Sequence, residues 1–318
     1  MKTAFLYPGQ GAQQVGMGKD LYEAFPAARR VFDEAEEATG LPVKQLCFEG
    51  PEEALARTDV CQPAIFTVSA ATLAVLGDLL SPKQLAEIGP AYMAGLSLGE
   101  YTALYAADAL DLQPAARLVA RRGQVMQEAA VAVPSGMVSV MGLDEAAAQQ
   151  LVEAAADGQV LTCANFNCPE QIVLSGQIEA CRRAEEMAKD FGARMAVPLQ
   201  VAGAFHSEIM APAARKLAEA LRDVALRDPR VPVVANVDAQ PYSHVEEIPT
   251  KLLDQLTSAV RWQQSMEFLL AAGVRTFFEI GPGRVLKGLM RRIDRSAEVI
   301  CLTSRQGVEK AVQRLSEG

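Results

Sequence analysis

The sequence predicts an α/β fold in which helices cover both faces of a mainly parallel sheet and a small second unit is inserted. Short apolar runs, typical of buried strands, alternate with segments of helical periodicity along most of the 318 residues. Glycine-rich turns follow two of these runs, at residues 7–13 and 95–99. Between residues 135 and 202 the order becomes β-α-β-β-α-β, which is the pattern of a ferredoxin-like unit.

The segments before the inserted unit are assigned by their periodicity. Strands are predicted at TAFLYP (3–8) and at residues 90–96, because both are short and apolar. Helices are predicted over residues 19–39, 62–80, 98–110 and 114–130.

The inserted unit and the segments after it follow the same reasoning. Within the unit, strands are predicted at 137–142, 159–167, 169–176 and 194–201, and helices at 144–158 and 178–192. The chain then continues with a helix at 211–226, a strand at 231–238, further helix, a strand at 275–281 and a last helix.

The composition is that of an ordinary globular enzyme, with 50% hydrophobic and 22% charged residues. The net charge of −9 argues against nucleic acid or an anionic membrane as the main partner. We expect no apolar run to approach the roughly eighteen residues of a membrane span, and the apolar part of the opening MKTAFLYPGQG is too short for a signal peptide. Six scattered cysteines without CxxC spacing predict free thiols, so we expect a cytoplasmic protein, and we expect it to be a monomer.

One serine is confined between two glycines in the segment AGLSLGE. Ser97 lies between Gly95 and Gly99, after a predicted strand and before a predicted helix, which is the nucleophile-elbow pattern. Glycines at these positions remove the Cβ atoms that would collide in so tight a turn. The turn would lift the Ser97 hydroxyl above the sheet and aim the N–H of Leu98 at the group attacked. A close-packed turn without catalytic function is the alternative.

The elbow favours an α/β-hydrolase-like core. We therefore predict a catalytic core formed by residues 1–132 and 203–318. A ferredoxin-like subdomain of residues 133–202 is predicted to interrupt it.

A serine hydroxyl needs a base, and the chain has only two histidines. His206 follows the last strand of the inserted unit, where a loop could reach the main sheet, whereas His244 lies in a polar turn. We therefore expect His206 to be the base, although a structural hydrogen bond is its alternative role. So few histidines also argue against a multi-histidine metal site, and we expect no metal.

Two further residues are candidates for binding the acyl group. Gln10 lies in the glycine turn after the first strand, where a loop of this type supplies the second oxyanion-hole N–H. Arg122 could return close to the elbow if the helices at 98–110 and 114–130 are antiparallel, and would then bind a carboxylate. The alternatives are a plain tight turn and a solvated helix face.

Motifs along nearly the whole chain resemble those of malonyl-CoA:acyl carrier protein transacylases, a family whose fold also serves as the acyltransferase of polyketide synthases. The motifs in the first half are PGQGAQ (8–13), CQPAIF (61–66), GLSLGEY (95–101) and RRGQVMQEA (121–129). Those in the second half are ANFNCPEQIVLSG (164–176), GAFHS (203–207), NVDA (236–239), VRW (260–262) and EIGPGRVL (279–286).

The resemblance implies a role for each matching position. Ser97 would carry the acyl ester, His206 would be its base, and Arg122 would bind the malonyl carboxylate. The N–H groups of Gln10 and Leu98 would form the oxyanion hole, with Gln62 as a supporting polar contact. In this family backbone carbonyls hold the histidine in place of an acid, and the carbonyl of Arg261 is expected to be one of them.

Two positions beside the motifs bear on selectivity. The family most often has histidine before the nucleophile, whereas this chain has Leu96, which we take as a tolerated variant. Phe205 resembles the bulky residue of malonyl-selective members and would crowd a methyl branch, although core packing is its alternative role.

The resemblance implies a ping-pong transfer of malonyl from malonyl-CoA, through Ser97, to the phosphopantetheine thiol of acyl carrier protein, without a cofactor. Because the carrier is typically acidic, a basic segment with Arg284, Lys287, Arg291 and Arg292 is a candidate docking surface. Three alternatives remain open: a discrete acyltransferase of a polyketide synthase, a serine acyl-thioester hydrolase, and an inactive carrier-binding scaffold.

Overall fold

The computed structural model describes residues 2–316, which form nine strands in two sheets. The strands are β1 (Thr3–Tyr7), β2 (Pro90–Gly95), β3 (Ser135–Met141), β4 (Leu161–Cys168), β5 (Gln171–Gln177), β6 (Met195–Pro198), β7 (Val233–Val234), β8 (Thr276–Ile280) and β9 (Glu298–Leu302). The larger sheet has the order β7-β2-β1-β8-β9, and all its neighbouring strands are parallel. The mixed α/β fold with a mainly parallel sheet is therefore confirmed.

Fifteen α-helices surround the two sheets in the described part of the chain. They are α1 (Lys19–Ala24), α2 (Pro26–Thr39), α3 (Val43–Glu49), α4 (Glu52–Ala56), α5 (Thr58–Leu79), α6 (Pro82–Ile88), α7 (Leu98–Ala106), α8 (Leu112–Ala132), α9 (Glu145–Ala156), α10 (Ile178–Met187), α11 (Ala211–Arg222), α12 (Glu247–Thr257), α13 (Trp262–Ala271), α14 (Val285–Ile293) and α15 (Arg305–Ser316). The single helix predicted over residues 19–39 is two helices, because Phe25 is extended before Pro26.

The smaller sheet is antiparallel and has the strand order β4-β5-β3-β6. Helices α9 and α10 pack on it, and an apolar cluster of its own, with Val140, Leu151 and Leu174 fully buried, fills the interface. This is the arrangement of a ferredoxin-like unit. Residues 133 and 202 stay predictions as the limits of the unit.

The longest helix lies in the core of the larger unit. Helix α5 is long and apolar enough to cross a membrane, so the expectation that no apolar segment reaches that length was wrong. However, 78% of its most apolar stretch is buried, and α2, α7 and α8 pack around it. Packing in a protein core therefore accounts for its composition.

Two parts of the larger sheet differ from the prediction. The strand expected at 231–238 is only two residues long, because the chain turns back after it and the Ala235 N–H bonds the carbonyl of Gln240. Strand β9 was not predicted, since its short sequence EVICL gives little periodicity.

The ends of β1 and β2 fix the place of the functional site. These parallel strands are paired so that Tyr7 lies beside Gly95, and the segments that follow the two strands leave the sheet at the same edge. The turns that follow are packed against each other, because a Cβ atom at Gly9 would lie 2.3 Å from the carbonyl oxygen of Leu96. Only glycine allows this approach of the two backbones.

Candidate active site

Ser97 lies in a sharp turn between β2 and α7. Its φ of 51° is in the left-handed region, which is rare for a residue other than glycine. A Cβ atom at Gly95 would lie 1.9 Å from the carbonyl carbon of Gly99, and one at Gly99 would lie 2.1 Å from the carbonyl oxygen of Tyr7. The two glycines are therefore required by the backbone, as the elbow pattern predicts.

The structure brings His206 to this serine across 109 residues of sequence. Ser97 Oγ lies 2.9 Å from Nε2 of the His206 ring, and Nδ1 of the ring lies 2.7 Å from the backbone carbonyl oxygen of Gln255. A carbonyl can only accept, so Nδ1 carries the proton and Nε2 presents its lone pair to the hydroxyl. His244, by contrast, is exposed.

The prediction that the carbonyl of Arg261 would hold the histidine was wrong. Arg261 precedes α13, so its carbonyl accepts from the Ser265 N–H at 3.0 Å and from the Ser265 hydroxyl at 2.9 Å. Its guanidinium packs over the ring of Phe166 and faces Glu145 at 3.8 Å, away from the cavity. Gln255, near the end of α12, supplies the carbonyl instead.

Arg122 on α8 reaches the elbow and is buried there, with 1% of its surface exposed. Its Nη2 donates to Ser97 Oγ at 3.0 Å and to Gln255 Oε1 at 2.9 Å, while Nη1 donates to Gln62 Oε1 at 2.7 Å. Arg122 on α8 therefore lies close to the elbow, as expected for antiparallel helices at these positions. Burial lowers the pKa of the guanidinium, which nevertheless remains charged because its ordinary pKa is so high.

The electrostatic surroundings keep His206 neutral. Burial, followed by the positive charge of Arg122, lowers the pKa of the imidazole to about 4, and the bond to the Gln255 carbonyl opposes this only in part. At neutral pH the ring is therefore a free base.

Ser97 opens into a cavity of about 220 Å³ between the two units. The larger unit contributes the side chains of Gln10, Gln62 and Phe205, and the smaller sheet contributes Asn165 and Val173. The remaining lining residues are Gly9, Leu96, Ser97, Leu98, Arg122, Met126, Met137, Asn167, Gln171, Leu199, Val201, His206, Val285 and Leu289. All predicted site residues except Arg261 therefore line one cavity.

The backbone at two of these positions can donate to an anion. Leu98 is the first residue of α7, so its N–H has no carbonyl partner within the helix. Gln10 lies in the turn after β1, which the Ala12 N–H closes on the carbonyl of Gly9 at 3.3 Å. Both residues line the cavity into which Ser97 opens.

Three residues of the site were not predicted. Gln255, Asn236 and Glu100 form a buried hydrogen-bonded layer beneath the elbow. Asn236 Oδ1 accepts from the Ser97 N–H at 2.6 Å, and its Nδ2 donates to the Gly95 carbonyl at 2.8 Å. Asn236 and Glu100 do lie in the motifs NVDA and GLSLGEY, but Gln255 lies in the further helix expected after residue 238, to which the sequence pattern assigned no limits or function.

A serine on an elbow, a neutral histidine at its hydroxyl and a buried arginine define an acyl-transferring serine enzyme. The chain belongs to the acyl transferase domain family, whose profile matches residues 4–311. It is 44% identical over 317 residues to the malonyl CoA-acyl carrier protein transacylase of Bacillus subtilis, covering 99% of this chain and 98% of that protein.

Solved structures of such enzymes have the same fold. The malonyl CoA-acyl carrier protein transacylase of Coxiella burnetii superposes with a TM-score of 0.93 at 39% identity, covering 99% of this chain and 98% of that one. A malonyl-transacylase solved in complex with its type II polyketide synthase acyl-carrier protein gives a TM-score of 0.90, also at 39% identity, covering 99% of this chain and 100% of that one.

Proposed function

We propose that this protein transfers the malonyl group of malonyl-CoA to the phosphopantetheine thiol of acyl carrier protein. Ser97 carries the malonyl ester between the two half-reactions, and the pathway is fatty-acid biosynthesis. One observation carries the proposal beyond the names of the relatives: the buried guanidinium of Arg122 lies 3.0 Å from the Ser97 hydroxyl. A cation at that place selects an acyl group that bears a carboxylate.

The first half-reaction begins with proton transfer. His206 Nε2 accepts the proton of Ser97 Oγ as the oxygen forms a bond to the thioester carbon. Nδ1 remains bonded to the Gln255 carbonyl, which stabilises the imidazolium that results. When the carbon–sulfur bond breaks, the proton passes from Nε2 to the departing thiolate of coenzyme A.

The tetrahedral intermediate carries its negative charge on the former carbonyl oxygen. The N–H groups of Gln10 and Leu98 are the donors that we assign to it. Leu98 is the first residue of α7, whose positive end also favours the charge. Each such donor contributes about 3 kcal/mol to the transition state.

Selection of the acyl group rests on Arg122 and Phe205. The malonyl carboxylate takes the Arg122 Nη2–H, which Ser97 Oγ otherwise accepts, whereas an acetyl group leaves this buried cation without that partner. Gln62 supports the arginine by accepting from Nη1. The ring of Phe205, 5% exposed and lining the cavity, crowds a methyl branch on the malonyl group.

The second half-reaction reverses the first. The phosphopantetheine thiol gives its proton to His206 and its sulfur attacks the malonyl ester, so that Ser97 recovers its hydroxyl. Neither step requires a metal or a redox cofactor.

The six cysteines are unpaired and five of them are buried, which is typical of a reducing compartment, so we propose that the protein is cytoplasmic. We also propose that it is a monomer.

The carrier docks on the basic face of α14. Lys287, Arg291 and Arg292 are exposed on this helix and Arg284 is exposed directly before it, while Val285 and Leu289 of the helix line the cavity. An acidic carrier bound there would be next to the mouth through which its thiol must enter. The local charge offsets the net charge of −9 on the whole chain.

Service to a polyketide synthase is the second candidate, because one structural neighbour was solved with such a carrier. Purified carriers of the two pathways, supplied in turn with malonyl-CoA, distinguish the candidates. We expect faster transfer to the fatty-acid carrier, and faster transfer to the polyketide carrier would favour the alternative. Release of free malonate at a rate that competes with transfer would instead indicate a hydrolase, and no loading of either carrier would indicate a scaffold.

A further inference from the structure

The carboxylate of Glu100 is buried under the elbow but takes no part in the steps above. Glu100 lies in α7, and none of its surface is exposed. Its Oε2 accepts from the Asn236 N–H at 3.0 Å and from Gln255 Nε2 at 2.7 Å, and its Oε1 accepts from the hydroxyl of Tyr242. Burying a carboxylate costs free energy, and each oxygen of this one has defined hydrogen-bond donors, so we expect Glu100 to have a function.

The side-chain amide of Gln255 joins this carboxylate to the arginine of the site. Its Nε2 donates to Glu100 and, at 3.0 Å, to the carbonyl oxygen of Ser97, while its Oε1 accepts from Arg122 Nη2 at 2.9 Å. Since a guanidinium only donates, the amide oxygen must face Arg122, and the nitrogen must then face Glu100. The two neighbours together fix the orientation of the amide.

The same layer also holds the base and the nucleophile. The backbone carbonyl of Gln255 accepts from His206 Nδ1 at 2.7 Å. Asn236, whose N–H bonds Glu100, accepts from the Ser97 N–H through its side chain at 2.6 Å. One carboxylate oxygen is thus bonded to both residues that hold the reacting groups in place.

We propose that Glu100 is a positioning residue that fixes the Gln255 amide and thereby aims Arg122 at the acyl group on Ser97. Without an acceptor at Oε2, Gln255 Nε2 loses its shortest hydrogen bond, at 2.7 Å, so the amide is held less firmly and its oxygen no longer gives Arg122 a fixed contact. The inference rests on the proposed role of Arg122 in binding the malonyl carboxylate. The contact needs an acceptor and not a charge, because the proton of a neutral carboxyl would lie on Oε1, towards Tyr242.

The test is a double-mutant cycle read as substrate discrimination. The variants Glu100→Ala, Gln255→Ala and their combination are assayed for loading by malonyl-CoA and by acetyl-CoA, and the ratio of the two kcat/KM values is compared with the wild type. Glu100→Gln retains an acceptor and serves as the conservative variant. Thr72→Val, which removes a buried hydroxyl bonded within α5, is the control for general loss of stability.

We expect each single alanine variant to lower the ratio by about 10-fold or more, the effect of one lost bond to a charged group. The double variant should lower it no further, Glu100→Gln should restore it to within about 3-fold, and Thr72→Val should leave it unchanged. A ratio that stays at the wild-type value in Glu100→Ala would overturn the proposal. Additive losses in the double variant, or an equal loss in Glu100→Gln, would overturn it as well.

Two further variants keep the outcomes separate. If Glu100→Ala does not fold, Glu100→Asp takes its place in the cycle, because the shorter side chain withdraws the acceptor from Gln255, and the same expectations apply. Arg122→Ala is measured in parallel. A ratio unchanged in Arg122→Ala would refute the proposed role of the arginine itself, whereas a ratio lowered there but not in the Glu100 variants would refute only the positioning role.

Discussion

The state of His206 makes the pH dependence of serine acylation a sharp prediction. A histidine of ordinary pKa, near 6.5, is protonated and inactive as a base in mild acid. Here burial and the positive charge of Arg122 lower the pKa to about 4. A shift from about pH 7 to about pH 5 should therefore leave the ring neutral.

The two cases differ by a large factor. With the ordinary pKa, the neutral fraction would fall about 25-fold between pH 7 and pH 5. With a pKa of about 4, it falls by only about 10%.

The assay is the second-order rate of malonyl loading on the enzyme, measured by rapid quench below saturation, so that it reports the free enzyme. Circular dichroism at each pH confirms that the protein stays folded. We expect a rate that is flat within about 2-fold from pH 7 to pH 5. A fall of about 25-fold with a midpoint near 6.5 would refute the reasoning about the buried base.

Four other perturbations have defined outcomes. Arg122→Ala should lower kcat/KM for malonyl-CoA about 100-fold or more but leave acetyl-CoA nearly unaffected, and equal losses would contradict its role. Phe205→Ala should raise the ratio of kcat/KM for methylmalonyl-CoA to that for malonyl-CoA about 10-fold. An unchanged ratio would indicate that the Phe205 ring only packs in the core. Burial raises the pKa of Glu100 from 4.5 to about 7, so its contribution to the free energy of unfolding is present below pH 4.5 and is lost as the pH rises through 7. In urea unfolding, the stability of Glu100→Gln relative to the wild type should therefore increase above pH 7. A stability difference between the two proteins that does not change with pH would contradict this. Arg291→Glu should raise the KM for the carrier but not that for malonyl-CoA, with Arg182→Glu on α10 as the control, and equal effects of the two variants would argue against docking at α14.

Local patterns predicted much of the fold. The glycines around Ser97 identified the elbow because no other residue fits that backbone, and apolar runs located β1, β2 and β8. Periodicity did not predict β9, because a strand of five residues carries little periodic signal. It did not predict the break at Phe25 either, because one extended residue does not change the helical pattern on both sides of it.

Some residues of the candidate site could likewise be predicted from the sequence, and others could not. Ser97, His206 and Arg122 could be proposed because their chemistry is distinctive and their motifs are local. The carbonyl partner of His206 could not, because any residue has a carbonyl and only the packing of α12 decides that Gln255 provides it. The expected Arg261 has its carbonyl committed to the first turn of α13.

In the proposed mechanism Ser97 itself bears the malonyl group between the two half-reactions. Incubating the protein with malonyl-CoA, digesting it in acid and mapping the acyl group by mass spectrometry tests this step. We expect one malonyl ester, on the peptide that contains Ser97, and none in Ser97→Ala. Malonyl on another residue, or an undiminished adduct in Ser97→Ala, would contradict it.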